Sequence, residues 1–380
     1  MDISEALDSK QETHAIYTDF SKAFDLVNHS LLLYKLSIFG IHGSLLQWCR
    51  SYLENRTQLV LIRGFKSDPR EVPSGVPQGS HLGPLFFVMF INDLVVGLRS
   101  KFKLFADDVK LYRAVRNHED TQLLQADINL VQEWCHRNHM TLNASKCFHI
   151  SFTRKKIPLT AKYRINNTPL EEVETIRDLG IIMDKTLSFR DHIDITIKKA
   201  SKLAGFVTRQ TKIFRDSSLA ITMFNSLVRS ILEYSSPVWN PSYKIHVNRL
   251  ERVQKRFLYH LAYTENKCRS LESYSDRRKH YKLQSLEARR RCNDIIFLTK
   301  TVQGKVDSPE ILGKIKLNIP RSGSRLQNRK TFYLPTCTTL HAQHSPLYRL
   351  LATYNSVQDS IDIFGSTVSS IKYQLKSFIM

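Results

Sequence analysis

Three features of the chain predict an α+β architecture. Short apolar runs with strand character lie at residues 14–19, 103–112 and 148–152. A helical stripe of Leu123, Leu124, Ile128, Val131 and Trp134 falls between the last two. Glycine- and proline-rich punctuation at residues 72–80 then separates the first strand and its helices from the second strand pair.

Taken in order, a strand over 14–19 runs into Asp19, and residues 21–29 read as the start of a helix. Helices follow near 30–39 and 43–54, with a hairpin around 58–72. The loop Val72-Pro73-Ser74-Gly75-Val76-Pro77-Gln78-Gly79-Ser80 leads into a long apolar helix over 82–98. Pro84, Asn92 and Asp93 interrupt that stretch, which argues for a buried helix rather than a membrane span. Next come a hairpin turning at Phe105-Ala106-Asp107-Asp108, a helix over 122–134 and a strand over 148–152. Residues 156–190 suggest small hairpins, and from residue 193 the pattern is mostly helical. Beyond residue 306 prolines and polar residues weaken it, and residues 345–380 add a terminal helix.

The adjacent acids Asp107 and Asp108 sit between apolar runs, at what reads as a hairpin tip. Asp favours turns by bonding its own backbone, so such a pair standing alone is usually just solvated. A third acid, Asp19, stands at the C-terminal end of the first strand. Carboxylates converging from separate strands suit two Mg²⁺ ions, which need hard oxygen ligands and lie only about 4 Å apart. The glycine loop could let a backbone approach a ligand, with Gln78 as an amide donor, or could be an ordinary connection into a helix.

The chain carries 56 Lys+Arg against 35 Asp+Glu, a formal charge of +21, so a polyanion is the natural partner. Residues 198–300 hold 22 Lys/Arg against 8 Asp/Glu and form the candidate clamp. There Arg249, Arg252, Lys255 and Arg256 recur beside Leu250, Val253 and Phe257 at helical spacing, setting a core face against a phosphate-facing one. The runs Arg277-Arg278-Lys279 and Arg289-Arg290-Arg291 fit phosphate contact, a solvated face or a nuclear-localisation patch. At 380 residues and 42% hydrophobic content the chain can bury two or three domains. Six scattered cysteines without a Cys-x-x-Cys pair fit reduced intracellular thiols, and no secretory signal is present. Cytoplasm and nucleus are the expected locations, with no membrane role.

The ordered set Tyr17-Thr18-Asp19-Phe20-Ser21-Lys22-Ala23-Phe24-Asp25, Ser74-Gly75-Val76-Pro77-Gln78-Gly79-Ser80, Leu82-Gly83-Pro84-Leu85, Ile91-Asn92-Asp93 and Phe105-Ala106-Asp107-Asp108 resembles the reverse transcriptase of non-LTR retrotransposons, most closely the jockey type of arthropod elements. Leu142-Asn143-Ala144-Ser145-Lys146-Cys147 and Asp178-Leu179-Gly180-Ile181 extend the likeness, and segments at 226–234 and 253–257 continue it.

The resemblance implies a right-hand polymerase: a palm at 1–155 with an antiparallel sheet and helices on one face, a primer-grip-like hairpin region at 156–190, a basic helical thumb at 191–305 and an extension of uncertain role at 306–380. It implies RNA-templated addition of dNTP to a DNA primer 3′-hydroxyl with two Mg²⁺, or Mn²⁺ in their place. Asp19, Asp107 and the carbonyl of Phe20 would hold the metals, with Asp108 supporting them. Phe24 would exclude a 2′-hydroxyl, with a core aromatic as the plain alternative. Gln78 and Gly79 would contact nucleotide and template. Lys146 would protonate the leaving pyrophosphate, or be a solvated turn lysine. Leu179 and Gly180 would grip the primer.

Enzymes of this type carry fingers and an endonuclease upstream, and only eighteen residues precede Asp19. Feeble extension or none is therefore expected of the chain alone. The alternative is a catalytically weak remnant that only binds nucleic acid. A two-metal nuclease would share the acids but leaves Phe24 and the glycine loop unexplained. The sequence does not set the oligomeric state.

Overall fold

The computed structural model describes residues 1–212, 216–268, 270–318, 330–337 and 339–378. Residues 213–215 and Arg269 of the basic stretch, and 319–329, 338, 379 and 380 of the C-terminal stretch, lie outside them. The chain divides into two compact units, Ser9–Ile176 and Arg177–Met380, the latter including Met1–Asp8.

The first unit is built on a sheet of β1 (Glu12–Thr18), β2 (Lys101–Phe105), β3 (Asp108–Val115), β4 (Phe148–Phe152) and β5 (Glu171–Glu172). Their order is β5-β4-β1-β3-β2. All pairings are antiparallel except the outer β5–β4. Side chains alternate across a strand, so Ile16 on β1 and its partner Leu111 on β3 share a face with Val109, and that face is buried. Helices α1 (His29–Ile38), α2 (Gly43–Leu53), α3 (Leu82–Ile91) and α4 (His118–Arg137) supply Leu32, Leu36, Leu53, Phe87, Phe90, Leu124, Ile128, Val131 and Trp134 to the same core. Fully burying each such side chain contributes about 1.5–3 kcal/mol. Helix α4 is well specified locally: Asn117 caps it by accepting from the Asp120 amide at 3.0 Å, Glu119 and Asp120 occupy its first turn, and His136 and Arg137 its last.

Two expected helices are shorter than the pattern suggested. Residues 21–25 form turns, not a helix, and α1 begins only at His29, where the Asn28 side chain accepts from the Leu31 amide. Lys22 has φ +48°, a left-handed conformation that breaks an α-helix. The apolar stretch from residue 82 is α-helical to Ile91 and then tightens to a 3₁₀ turn over Asn92–Val95. Asp93 there takes hydrogen bonds from Lys35 Nζ (2.7 Å) and Trp134 Nε1 (2.9 Å), anchoring the turn to α1 and α4. Among the described residues no helix is long and apolar enough to cross a membrane.

The boundary between the units falls within β6 (Thr175–Asp178), which forms a hairpin with β7 (Ile181–Asp184) of the second unit. That unit is otherwise helical, with α5 (Arg190–Thr211), α6 (Ser217–Met223), α7 (Lys244–Thr264), α8 (Tyr274–His280) and α9 (Leu286–Val302). One core joins Ile193, Ala200 and Val207 of α5 to Leu250, Val253, Phe257 and Leu261 of α7. A separate core sets Ile295 and Leu298 of α9 against Leu351 and Tyr354 of α10 (Pro346–Asn355) and Ile371 and Leu375 of α11 (Val368–Phe378). The terminal stretch thus carries two helices where one was expected.

Candidate nucleotidyl-transfer site

β1 and β3 are neighbours in the sheet, and Thr18 pairs with Val109. Thr18 Oγ1 also donates to the Val109 carbonyl at 3.3 Å. One further step of this register sets Asp19 across from Asp108, and antiparallel neighbours lie about 5 Å apart. Asp107 is the second residue of the two-residue turn that joins β2 to β3, closed by the Phe105–Asp108 pair. Its first residue, Ala106, has φ +51°, a conformation that costs a non-glycine residue about 1–2 kcal/mol. The register therefore brings the backbones of Asp19, Asp107 and Asp108 to one end of the sheet, although almost ninety residues separate them.

The segment after β1 is stitched to residues 141–147. The Asn143 amide donates to the Asp19 carbonyl (2.8 Å), the Ser21 amide to the Thr141 carbonyl (2.8 Å), and the Asp19 amide to Cys147 Sγ (3.4 Å). Burial pushes the Cys147 thiol up from its ordinary range, so it is a neutral packing partner. This stitching places Lys146 Nζ 3.6 Å from Asp19 Oδ2, with the Asp19 side chain 32% exposed. Among the described residues no group of three or more His, Cys, Asp or Glu converges closely enough to hold a metal ion. Phe20 turns its side chain into the core, edge-on to Trp134 at 6.4 Å.

The glycine loop lies directly against the segment that follows Asp19. The Gly75 amide donates to Val27 O (2.8 Å), the Val76 amide to Phe24 O (2.9 Å) and Ser74 Oγ to Asp25 O (2.8 Å). His29 Nε2 is 2.8 Å from Gly75 O. Gly75 is required twice over: its φ is +88°, and a Cβ would sit 2.8 Å from Asp25 Cα. Phe24 stacks on Phe87 with centroids 4.5 Å apart and stays only partly buried. Gln78 is exposed and donates from Nε2 to Asp25 Oδ1 at 2.8 Å. Gly79 is exposed beside it with φ +78° and open space around its Cα. Asp25 as the holder of Gln78 went unread in the sequence, where it stands in the same motif as Asp19 without a marker of its own.

In the second unit, Leu179 (φ +43°) and Gly180 (φ +85°) form the two-residue turn between β6 and β7. Two positive φ values in a two-residue hairpin match the twist of the strands. Tyr234 Oη donates to the Leu179 carbonyl at 3.0 Å, and a Cβ on Gly180 would meet the Tyr234 ring at 3.4 Å. Trp239 Nε1 fixes the Tyr234 carbonyl at 2.7 Å, and the Trp239 ring lies edge-on to His192, whose Nδ1 accepts from the Ile182 amide at 3.3 Å. The turn is thus held at two points by the helical core.

The basic residues separate into two groups. Arg252, Lys255 and Arg256 of α7 are exposed, whereas Arg249 pairs with Asp194 of α5 at 2.7 Å. Two residues of the run at 289–291 are turned to internal work: Arg289 pairs with Glu233 and fully buried Arg290 donates to Asn240 Oδ1 (3.0 Å), while exposed Arg291 donates to Ser356 Oγ. Arg277 is also buried, donating to the carbonyls of Leu271 and Glu272.

Residues 2–183 match the family described as Reverse transcriptase (RNA-dependent DNA polymerase). The RNA-directed DNA polymerase from mobile element jockey of Drosophila funebris is 30% identical over 267 residues, covering 67% of this chain and 29% of that protein. The probable RNA-directed DNA polymerase from transposon BS of Drosophila melanogaster is 30% identical over 271 residues, with the same shares covered. The chain thus spans less than a third of the length of these relatives. A solved structure of apo telomerase from Candida Tropicalis aligns over 82% of this chain and 55% of that chain, at 13% identity and a TM-score of 0.43. Residues 2–183 are thus a reverse transcriptase domain, and the chain is similar to the RNA-directed DNA polymerases of the jockey and BS mobile elements.

Proposed function

We propose that the chain is the catalytic part of an RNA-directed DNA polymerase that joins dNTPs to a DNA primer 3′-hydroxyl on an RNA template. The observation that carries this reading is the β1–β3 register, which sets Asp19 across from the Asp107–Asp108 end of the neighbouring hairpin. The acids offer hard carboxylate oxygens on separate strands, a donor set suited to Mg²⁺ or Mn²⁺. Asp19, Asp107, Asp108 and the Phe20 carbonyl would hold two such ions if the three carboxylates drew together, since among the described residues they do not form a group close enough to hold a metal. When bound, the ions lower the pKa of the attacking hydroxyl and offset charge on the triphosphate.

The protein's own groups do the rest. Phe24, held against Phe87, supplies a rigid aromatic wall beneath the incoming sugar and rejects a 2′-hydroxyl by contact. Gln78, oriented by Asp25, presents its amide to the nucleotide, while Gly79 leaves room for the template strand. Lys146, already beside Asp19, carries a proton to the leaving pyrophosphate. Leu179 and Gly180 hold the primer end, and the exposed cations of α7 hold backbone phosphates. In these terms residues 1–155 are the palm, 156–190 the primer-grip region and 191–305 the thumb, acting inside the cell on RNA and DNA.

Primer extension on an RNA template with Mg²⁺ or Mn²⁺ tests the reading. Feeble extension by the wild-type chain alone that disappears in Asp107→Asn would support the reading. Extension that survives Asp107→Asn unchanged would overturn it, and binding of primer–template without any extension is the outcome that fits the nucleic-acid-binding remnant.

A further inference from the structure

Helix α7 shows two faces of different chemistry. Leu250, Val253, Phe257, Leu258, Leu261 and Ala262 are buried in the helical core. Arg252, Arg256, Tyr259 and Tyr263 are spaced four, three and four residues apart, which lines them along the opposite, exposed face with Lys255 beside them. Tyr259 is 53% and Tyr263 66% exposed. Single exposed tyrosines are ordinary. Two in line with three cations are a pattern.

The charge on this face is one-signed. Helix α7 carries five Lys/Arg and a single acid, Glu251. That carboxylate is turned inward, accepting from Tyr274 Oη and from the amides of Leu286 (3.1 Å) and Glu287 (3.3 Å). Tyr259 is also held in place, since the guanidinium of buried Arg277 stacks 5.2 Å from its ring centroid. One face of the ring thus meets a fixed cation.

We propose that this face of α7 is a binding site for single-stranded RNA, with phosphates on Arg252, Lys255 and Arg256 and unpaired bases stacked on Tyr259 and Tyr263. Tyr259 and Tyr263 stand one turn apart, about 6 Å along the axis. An extended single strand can follow that spacing base by base, whereas duplex bases lie about 3.4 Å apart and are already stacked on one another. The proposal deepens the polymerase reading and rests on it, because an unpaired template is the single strand such an enzyme carries. Base stacking on an aromatic ring is sequence-tolerant, so the site takes any unstructured RNA.

The test is fluorescence anisotropy of the full chain with three labelled probes: an unstructured 15-nucleotide RNA, an abasic ribose-phosphate strand of equal length, and a 15-base-pair RNA duplex. The wild-type chain should bind the unstructured RNA about tenfold or more tighter than the abasic strand. Tyr259→Ala with Tyr263→Ala should erase that preference while the salt dependence stays, and the paired Phe substitutions should keep it. Arg252→Ala should instead lower the salt slope by about 0.7 and leave the preference for bases. Equal wild-type affinity for the RNA and the abasic strand, or a preference for bases that survives the double alanine variant, would overturn the site. A stacking site that fails while extension still depends on Asp107 sinks this proposal alone, because binding is read without polymerisation.

Discussion

Replacing Gly75 by alanine is expected to cost about 2–4 kcal/mol, because the new methyl would combine a left-handed backbone with overlap onto the Asp25 main chain. Gly79→Ala is the control: it shares a positive φ but meets nothing within 4 Å, so only about 1 kcal/mol should be lost. Urea unfolding of the two variants checks the difference, and equal losses would contradict the close packing of loop on loop. Single residues were unevenly legible. The place of Asp19 at a strand end was readable because a strand-like run leads into it, and that of Gln78 in a loop because two glycines and two prolines frame it. Asp25 was not: an exposed acid in a turn looks the same whether it is solvated or holds the Gln78 amide. The pairing of Arg249 with Asp194 was not readable for a related reason, since helical spacing reports the face a residue occupies but not the carboxylate of another helix that meets it.

Among the elements, the hairpin at Leu179–Gly180 depends on partners far along the chain. His192 is buried and its Nδ1 accepts from the Ile182 amide, so it must stay neutral there, and burial lowers its pKa below the ordinary 6.5. Above pH 6.5 folded and unfolded chains both hold it neutral and nothing is lost. As pH falls below 6.5 the unfolded chain binds a proton that the folded chain resists, so stability declines until the lowered folded value is reached. Melting temperatures measured from pH 8 to pH 5 should therefore be flat at first and then fall, and His192→Gln should flatten part of that fall. An unchanged profile in the variant would show that His192 does not carry the effect. Strands and helices with strong periodicity were legible from sequence, as with Phe148–Phe152. Helix limits were less so: the cap at Asn28 and the left-handed Lys22 decide where α1 begins, and Asp93 bound to Lys35 and Trp134 decides where the apolar stretch from residue 82 stops being α-helical. The first two are local choices of cap and backbone and the last is tertiary, and periodicity records neither kind.

For the whole molecule, composition raised the expectation of a polyanion partner, but it did not say which cations would remain exposed. Of the three consecutive arginines at 289–291, Arg289 is tied to Glu233 and Arg290 is fully buried against Asn240, whereas Arg291 stays exposed beside Ser356. Arg252, Lys255 and Arg256 of α7 remain exposed. The central claim concerns the other unit, where acids from two strands share one end of a sheet. Manganese binding measured by electron paramagnetic resonance, with primer–template bound, tests it most directly. Two Mn²⁺ per wild-type chain, falling by at least one in Asp19→Asn and again in Asp107→Asn, is the predicted result. The same number of ions bound with the same affinity in all three proteins would contradict it.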